Sequence, residues 1–258
     1  MFFMLALRDA VLYPARSFAM VSTAGIRMFF IFIIYSYVFT YIGSPKPGIT
    51  LAITLASLAL YQVMNAVTFR KVFYRILRDI QRGDVEIALT RPQSYILRLC
   101  TEHVGFAILL IVPSLLLACV ILYFYVGITT LPATLTSVVW GIILAALGIA
   151  LSACIFICAS LPALWINDAE PFIMIIDKSV MLLGGAFIPV ALMPSWLATI
   201  ALYSPFGAVM FVTHMFTPDF MSHVQQLVLL QLVWICIIGY GAYILFKLGI
   251  RKISINGG

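Results

Sequence analysis

The feature that most constrains this 258-residue chain is a series of six long segments that are almost entirely apolar. They cover residues 22–42, 50–69, 102–126, 133–160, 171–192 and 224–246. About 20 apolar residues in a helix cross the hydrocarbon core of a bilayer, with every backbone polar group paired inside the segment. Only 9% of the residues are charged, whereas soluble domains carry about 25%. The sequence therefore predicts an all-α integral membrane protein, with six transmembrane helices in one domain spanning residues 1–258.

The basic residues indicate how these spans are oriented. Seven of the fifteen lie between the second and third spans: Arg70, Lys71, Arg75, Arg78, Arg82, Arg91 and Arg98. The predicted outer loops, 43–49, 127–132 and 193–223, contain one basic residue, Lys46. Because Lys and Arg accumulate in short cytoplasmic loops, we expect both termini to be cytoplasmic. Topology thus accounts for the net charge of +6, and no nucleic-acid binding is expected.

The N-terminal residues 1–20 differ from the six spans. Arg8, Asp9 and Pro14 interrupt their apolar pattern, which is too broken for a span or for a cleaved signal sequence. This composition favours a helix lying in the cytoplasmic membrane interface, and a disordered tail is the alternative.

The loop at 70–101 combines an amphipathic helix with a charged turn. Apolar residues recur at helical spacing from Phe69 to Ile80, with basic residues on the opposite face. Gly83 is placed to end this helix, and Asp84 to begin a short one. Pro92 disfavours helix at the residue before it, and Ser94 can cap the helix that enters the third span. We therefore predict a short transverse helix between two longer ones.

This loop resembles a signature of the ABC-2 type permease family. Gly83, Glu86, Leu89 and Pro92 stand where that family has Gly-Thr-Leu-Glu-x-Leu-x-x-Thr-Pro. A second match lies in residues 184–206, which resemble the family's Gly, Phe and Pro run before a Pro-x-Trp-Leu segment and a Ser-Pro dipeptide. Its matching positions are Gly185, Phe187, Pro189, Met193, Pro194, Trp196, Leu197, Ser204 and Pro205. The six-span arrangement agrees as well, so the resemblance covers essentially the whole chain.

Two positions depart from the family's signature. Asp84 replaces the usual Thr, and Arg91 replaces the Thr before Pro92. These differences resemble a prokaryotic subgroup in which two different permeases share one ATPase. The resemblance therefore implies a multi-pass protein of a prokaryotic inner membrane, acting with a second copy or with a sister permease, and surrounded by membrane lipids.

The family resemblance implies that the loop is a coupling helix seated in a separate ATP-binding subunit. The expected contact residues are Arg82, Gly83, Asp84, Glu86, Ile87, Leu89, Arg91 and Pro92. ATP and Mg would be bound by that partner, because this chain has no Gly-x-x-x-x-Gly-Lys-Ser/Thr phosphate loop. The alternative is a solvated turn whose charges only enforce topology.

Other polar and outer residues are candidates for a transport pathway or gate. Asp177 and Lys178 are ionisable residues inside the predicted fifth span, where such residues usually face a cavity; structural pairing is the alternative. Segment 193–223 is predicted to be an outer re-entrant segment or, alternatively, an interfacial hairpin. Four residues are candidates for the gate. Pro194 and Trp196 lie in this segment, and Phe187 and Pro189 lie just before it.

The expected function is that of a permease subunit of an ATP-driven exporter, with an apolar or amphiphilic cargo such as a drug, lipid, peptide or glycan. The alternatives are a membrane-embedded enzyme or a structural membrane subunit. We predict no catalytic residues, since no Gly-x-Ser-x-Gly or His-Glu-x-x-His motif is present. The five cysteines lie in or beside apolar segments and are expected to be packing thiols, and no metal site is expected.

Overall fold

The computed structural model describes residues 14–44, 46–85, 94–127, 134–166 and 169–256, and these form helices joined by turns. The α-helices are α1 (Pro14–Tyr41), α2 (Leu51–Ala66), α3 (Arg70–Gln81), α4 (Tyr95–Tyr125), α5 (Leu135–Ser160), α6 (Glu170–Leu183), α7 (Ser195–Tyr203), α8 (Pro205–Ala208) and α9 (Phe220–Asn256). Short 3₁₀ turns occupy Leu161–Leu164, Val190–Leu192 and Phe211–His214.

Short polar side chains begin several of these helices. The Thr50 hydroxyl accepts a hydrogen bond from the Ile53 backbone N–H at 3.3 Å, at the start of α2. The Ser94 hydroxyl accepts from the Leu97 N–H, which confirms its predicted place at the start of α4. Such caps satisfy donors that the first helical turn leaves unpaired. In this way α4 starts at Tyr95, seven residues before the apolar segment predicted at 102–126.

Five helical stretches in the described residues are long and apolar enough to cross a membrane. They are Val21–Tyr41, Leu51–Gln81, Tyr95–Tyr125, Leu135–Leu164 and Phe220–Ile250. The prediction of a membrane-spanning, all-α chain is therefore confirmed, although the helices are longer than their apolar centres.

The predicted fifth span, 171–192, is not one continuous helix. Its helical part, α6, has 14 residues and is about 21 Å long, shorter than the ~30 Å hydrocarbon core. Gly185, with φ +87°, follows its end and turns the chain into irregular backbone. The fifth span is therefore not confirmed as one continuous helix, because hydropathy reports apolarity, and this segment is apolar without being helical throughout.

The prediction of a separate helix over residues 1–20 is corrected for residues 14–20. Pro14 begins α1, a position where its missing N–H costs no hydrogen bond, and α1 continues without a break to Tyr41. Residues 14–20 are therefore the first turns of the first long helix. Residues 1–13 lie outside the part of the chain that the structure describes.

The bundle has two ends that differ in charge. At the end that we call the basic end, α3 packs with the start of α4, the 3₁₀ turn Leu161–Leu164 and the start of α6. Gly249 of α9 contacts Leu164 at this end. The opposite end contains Lys46 and the turn around Phe187. Residues 170–193 thus run from one end of the bundle to the other, although only α6 is α-helical and Val190–Leu192 forms a 3₁₀ turn.

Candidate functional site

Helix α3 lies at the basic end with its apolar face inside the protein. Val72, Phe73, Ile76 and Leu77 are buried, and they pack against Tyr95, Leu99, Phe156, Ala169 and Ile173 of the neighbouring helix ends. This confirms the amphipathic helix expected from the apolar spacing. Because its buried face contacts three other segments, α3 is firmly attached to the bundle.

Polar contacts add a second attachment between α3 and α4. The Arg75 guanidinium lies 2.7 Å from the Glu102 carboxylate, and Arg98 lies 3.6 Å from the same carboxylate one turn away. The Tyr95 hydroxyl donates a hydrogen bond to Asp79 at 2.8 Å. Charge-assisted contacts of this kind fix geometry more strongly than neutral ones. The two helices on either side of the charged loop are therefore cross-linked by polar side chains.

The charged loop begins with a turn at Gly83, as predicted. This residue has φ +76°, with no atom within 4 Å of the position that a Cβ would take. Arg82, Gly83 and Asp84 are exposed, whereas Val85 is buried in the cluster under α3. The expected contact residues Glu86, Ile87, Leu89, Arg91 and Pro92 lie outside the described residues. The described part of the loop thus shows an anchored start with exposed charges.

Asp177, one of the pathway candidates, forms an ion pair at the basic end. Its carboxylate lies 2.5 Å from the Arg70 guanidinium, and Arg70 also donates to Asn65 at 3.1 Å. Lys178, its neighbour in sequence, is exposed. The structure therefore gives Asp177 a structural partner, which was the alternative to a role in lining a pathway, and ties α6 to α3.

The other pathway candidates lie at the opposite end of the bundle, away from Asp177. The Phe187 carbonyl accepts a hydrogen bond from the Tyr35 hydroxyl at 2.6 Å. Pro189 is buried, whereas Pro194 and Trp196 are exposed. Lys46 donates to the carbonyls of Ala191 and Met193 at 2.9 and 2.8 Å. The six candidates therefore belong to two separate places and do not form one site.

Within the outer segment, residues 205–214 lie in the centre of the bundle, and 207–213 of them are buried. Ala208 and Phe211 are at most 1% exposed and pack with residues of α2, α4 and α5. Fully buried Gln231 of α9 donates to the carbonyls of Leu144 and Ala208, at 3.2 and 2.7 Å. No described residue donates to its Oε1. Irregular backbone inside a membrane protein is tolerated where other parts of the protein cover it. Here the Gln231 amide pairs the backbone carbonyl of Ala208.

His214, which directly follows the buried residues and is itself partly buried, predicts a pH dependence of stability. Burial, assisted by the nearby His223, lowers the pKa of His214 to about 4, below the ~6.5 of an unfolded histidine. The unfolded chain therefore binds the extra proton first, and the stabilisation, full above about pH 6.5, is lost as pH falls through this window towards 4. We expect thermal unfolding in detergent to show this decline, and His214→Gln to flatten it.

The matched control is His223→Gln, which changes an exposed histidine and should keep most of the slope because burial is the larger cause. Equal slopes for the wild type and His214→Gln would contradict the assignment.

Several contacts at these sites were not expected from the sequence. Arg70–Asp177 and Arg75–Glu102 join residues far apart in the chain, and only the i,i+4 spacing of Arg98 and Glu102 was a local signal. His103 turns away from Glu102, with its Nε2 3.1 Å from the Val67 carbonyl. The five cysteines are free thiols. Among the described residues, no three His, Cys, Asp or Glu side chains are grouped to hold a metal ion.

Comparison with known proteins adds one finding to this geometry. The family model described as ABC-2 family transporter protein matches residues 20–257, a range that includes all five long apolar stretches, the charged loop and the outer segment. Searches of curated proteins and of solved structures returned no match. The chain therefore belongs to the ABC-2 family of transporter proteins.

Proposed function

We propose that this chain is the permease subunit of an ATP-driven exporter, and that a separate ATP-binding subunit supplies the energy. In this assembly the partner holds ATP and Mg, and two permeases, either identical or sister chains, enclose the pathway. Family membership supports the transport role. The loop that follows α3 is the surface that we assign to the partner.

The observation that carries the proposal is the way in which this loop is attached. Arg82 and Asp84 are exposed for a charged partner, whereas Val85 is buried under α3. Charged groups at the edge of an interface steer and orient a partner. A displacement of the loop therefore reaches α3 through Val85, instead of being absorbed by a flexible turn.

From α3 the displacement has two routes into the bundle. The Arg75–Glu102 contact joins α3 to α4, and the Arg70–Asp177 contact joins it to α6. Rigid helices that slide or rotate together provide the usual basis for closing and opening a cavity. Closure of the ATP-binding subunits would thus move the basic ends of α3, α4 and α6 together.

The outer segment is proposed to be the exit gate. Its inner part, residues 205–214, packs against α2, α4 and α5, and α6 contacts both α7 and α8. A movement of α6 at the basic end would therefore reach this segment. An apolar or amphiphilic cargo fits the scarcity of polar side chains in the long helices, and export is the direction we propose.

Affinity purification tests this function. The tagged chain, extracted from its native membrane in mild detergent, should retain an ATP-binding subunit in stoichiometric amount. The reconstituted pair should move an amphiphilic dye across a vesicle membrane only with hydrolysable ATP. Transport by the isolated chain without ATP, or a preparation that never retains such a subunit, would contradict the proposal.

A further inference from the structure

A cavity of about 390 Å³, with a mixed polar and apolar wall, opens at the basic end between α1 and the junction of α2 with α3. Its wall includes Arg27 of α1, Gln62 and Asn65 of α2, and Arg70 and Lys71 of α3. Small-molecule sites have volumes of about 300–1,000 Å³. The cavity is therefore large enough for a ligand and is not merely a gap for one or two waters.

The charges of this cavity favour an anion. Three of its lining side chains are cationic, and none of the described lining residues is acidic. The nearby Asp177 carboxylate neutralises Arg70, and Lys71 lies with its Nζ 3.8 Å from the centre of the Phe106 ring. Arg27 forms no ion pair with any residue that the structure describes. A positive charge thus remains on the α1 side of the cavity.

Gln62 places a polar side chain at the wall of the cavity. Its side chain lines the cavity and is only 5% exposed, and it makes no hydrogen bond with another described residue. Its amide atoms are not among the buried side-chain atoms that lack a partner, so they are open to the cavity, where a ligand can pair with them. An anion between Arg27 and Arg70 would accept hydrogen bonds from the Gln62 amide and from the guanidinium groups.

The surroundings indicate that the anion carries an apolar chain. Arg27 lies within the stretch Val21–Tyr41, which is long and apolar enough to cross a membrane. Ile26, Phe30 and Ile34 are each exposed on the adjoining face of α1, so an alkyl chain could follow that face. An arginine inside a span usually faces a polar cavity or pairs with an opposite charge, and the cavity provides the place for that charge.

We propose that this cavity binds the anionic headgroup, phosphate or carboxylate, of an amphiphile that enters from the surrounding bilayer. Arginine is suited to this recognition because its planar guanidinium binds such oxyanions through two parallel hydrogen bonds. The site goes beyond the proposed transport function, since binding requires neither ATP nor a partner. The bound amphiphile is either a membrane lipid or the cargo itself.

Binding to the purified chain in neutral detergent tests the site. The probes are short-chain phosphatidylglycerol, oleate, short-chain phosphatidylcholine, glycerol phosphate and inorganic phosphate. We expect phosphatidylglycerol and oleate to bind at least about ten-fold more tightly than phosphatidylcholine, because a hydrogen bond between charged groups is stronger than one between neutral groups. Equal binding of phosphatidylcholine would overturn the proposal. Equal binding of glycerol phosphate or inorganic phosphate would also overturn it, by showing a site for free anions.

Variants assign the binding to the cavity. Arg27→Ala and Gln62→Leu should each weaken phosphatidylglycerol binding, the first by about ten-fold. The control is Arg78→Ala, which removes the same charge from the exposed face of α3 outside the cavity and should change binding less than about two-fold. Equal losses in Arg27→Ala and Arg78→Ala would show only general attraction to a basic surface and would overturn the site. If Arg27→Ala unfolds, Gln62→Leu decides, and unaltered binding would overturn it.

A further experiment distinguishes a resident membrane lipid from transported cargo. In nanodiscs that contain the ATP-binding subunit, a bound fluorescent phosphatidylglycerol should stay in place on ATP addition if it is a resident lipid. If it is cargo, ATP should release it. Both results support an amphiphile site, whereas the absence of any binding before ATP is added overturns it. Because the first binding step uses the chain alone, failure of the exporter proposal would not affect the result.

Discussion

Charge reversal in the loop, by Asp84→Lys together with Glu86→Lys, is expected to reduce stimulation of the partner's ATPase at least ten-fold. Asp84 is exposed beyond the turn at Gly83, and Glu86 follows it in the segment that resembles the coupling signature. Charge reversal places like charges opposite each other at the interface, which costs several kcal/mol and corresponds to a factor of more than ten. ATPase activity of the reconstituted complex, with and without the permease, measures this effect.

The variant chain itself should fold normally. Asp84 makes no ion pair with another described residue, and surface substitutions usually change stability by about 0.5 kcal/mol or less. The control is Asp219→Lys, which reverses one carboxylate, where the loop variant reverses two, at an exposed position of the opposite end and should leave stimulation intact. Full stimulation by the loop variant would remove the basis for assigning this loop to the partner.

Gly148→Ala is expected to destabilise the protein by about 1–3 kcal/mol, the usual cost of an overpacked core. Gly148 is buried in the middle of α5, and a Cβ there would overlap the backbone carbonyl oxygen of Val209. A backbone oxygen cannot rotate away as a flexible side chain can. The stretch 205–214 would therefore have to move out of the bundle, and the midpoint of thermal unfolding should fall by roughly 3–10 °C.

Gly241→Ala provides a matched control in another long helix. No atom lies within 4 Å of the Cβ position at Gly241, and alanine is favoured over glycine in a helix by up to about 1 kcal/mol. This variant should be as stable as the wild type or slightly more so. The same drop in both variants would show that glycine flexibility, and not the contact with Val209, determines the effect.

The charged loop shows how far the sequence could be read. Apolar residues at helical spacing predicted α3 because this periodicity is a local property of the chain. Gly83 likewise predicted the helix end, since a φ of +76° suits a residue without a Cβ. The ion pair of Arg75 with Glu102 was not predictable, because it depends on how α3 and α4 lie against each other.

The fifth apolar segment shows where hydropathy stops being informative. Residues 171–192 have the composition of a span, but Gly185 and Pro189 end the helix before it is long enough to cross. The sequence also did not predict that residues 205–214 lie inside the bundle, since an apolar stretch of this length suits a membrane interface and a protein core alike. Both outcomes were decided by packing against α2, α4 and α5.

By itself, the sequence determined that the chain is a membrane protein, where most of its long helices lie, and which loop carries the charge. These properties follow from composition, periodicity and local backbone preferences, which act over a few residues. Only the tertiary structure decided that Asp177 pairs with Arg70, that Gln62 faces a cationic cavity, and that Val209 rests on Gly148. Each of these contacts joins separate helices, and their relative placement depends on how all the side chains between them pack together.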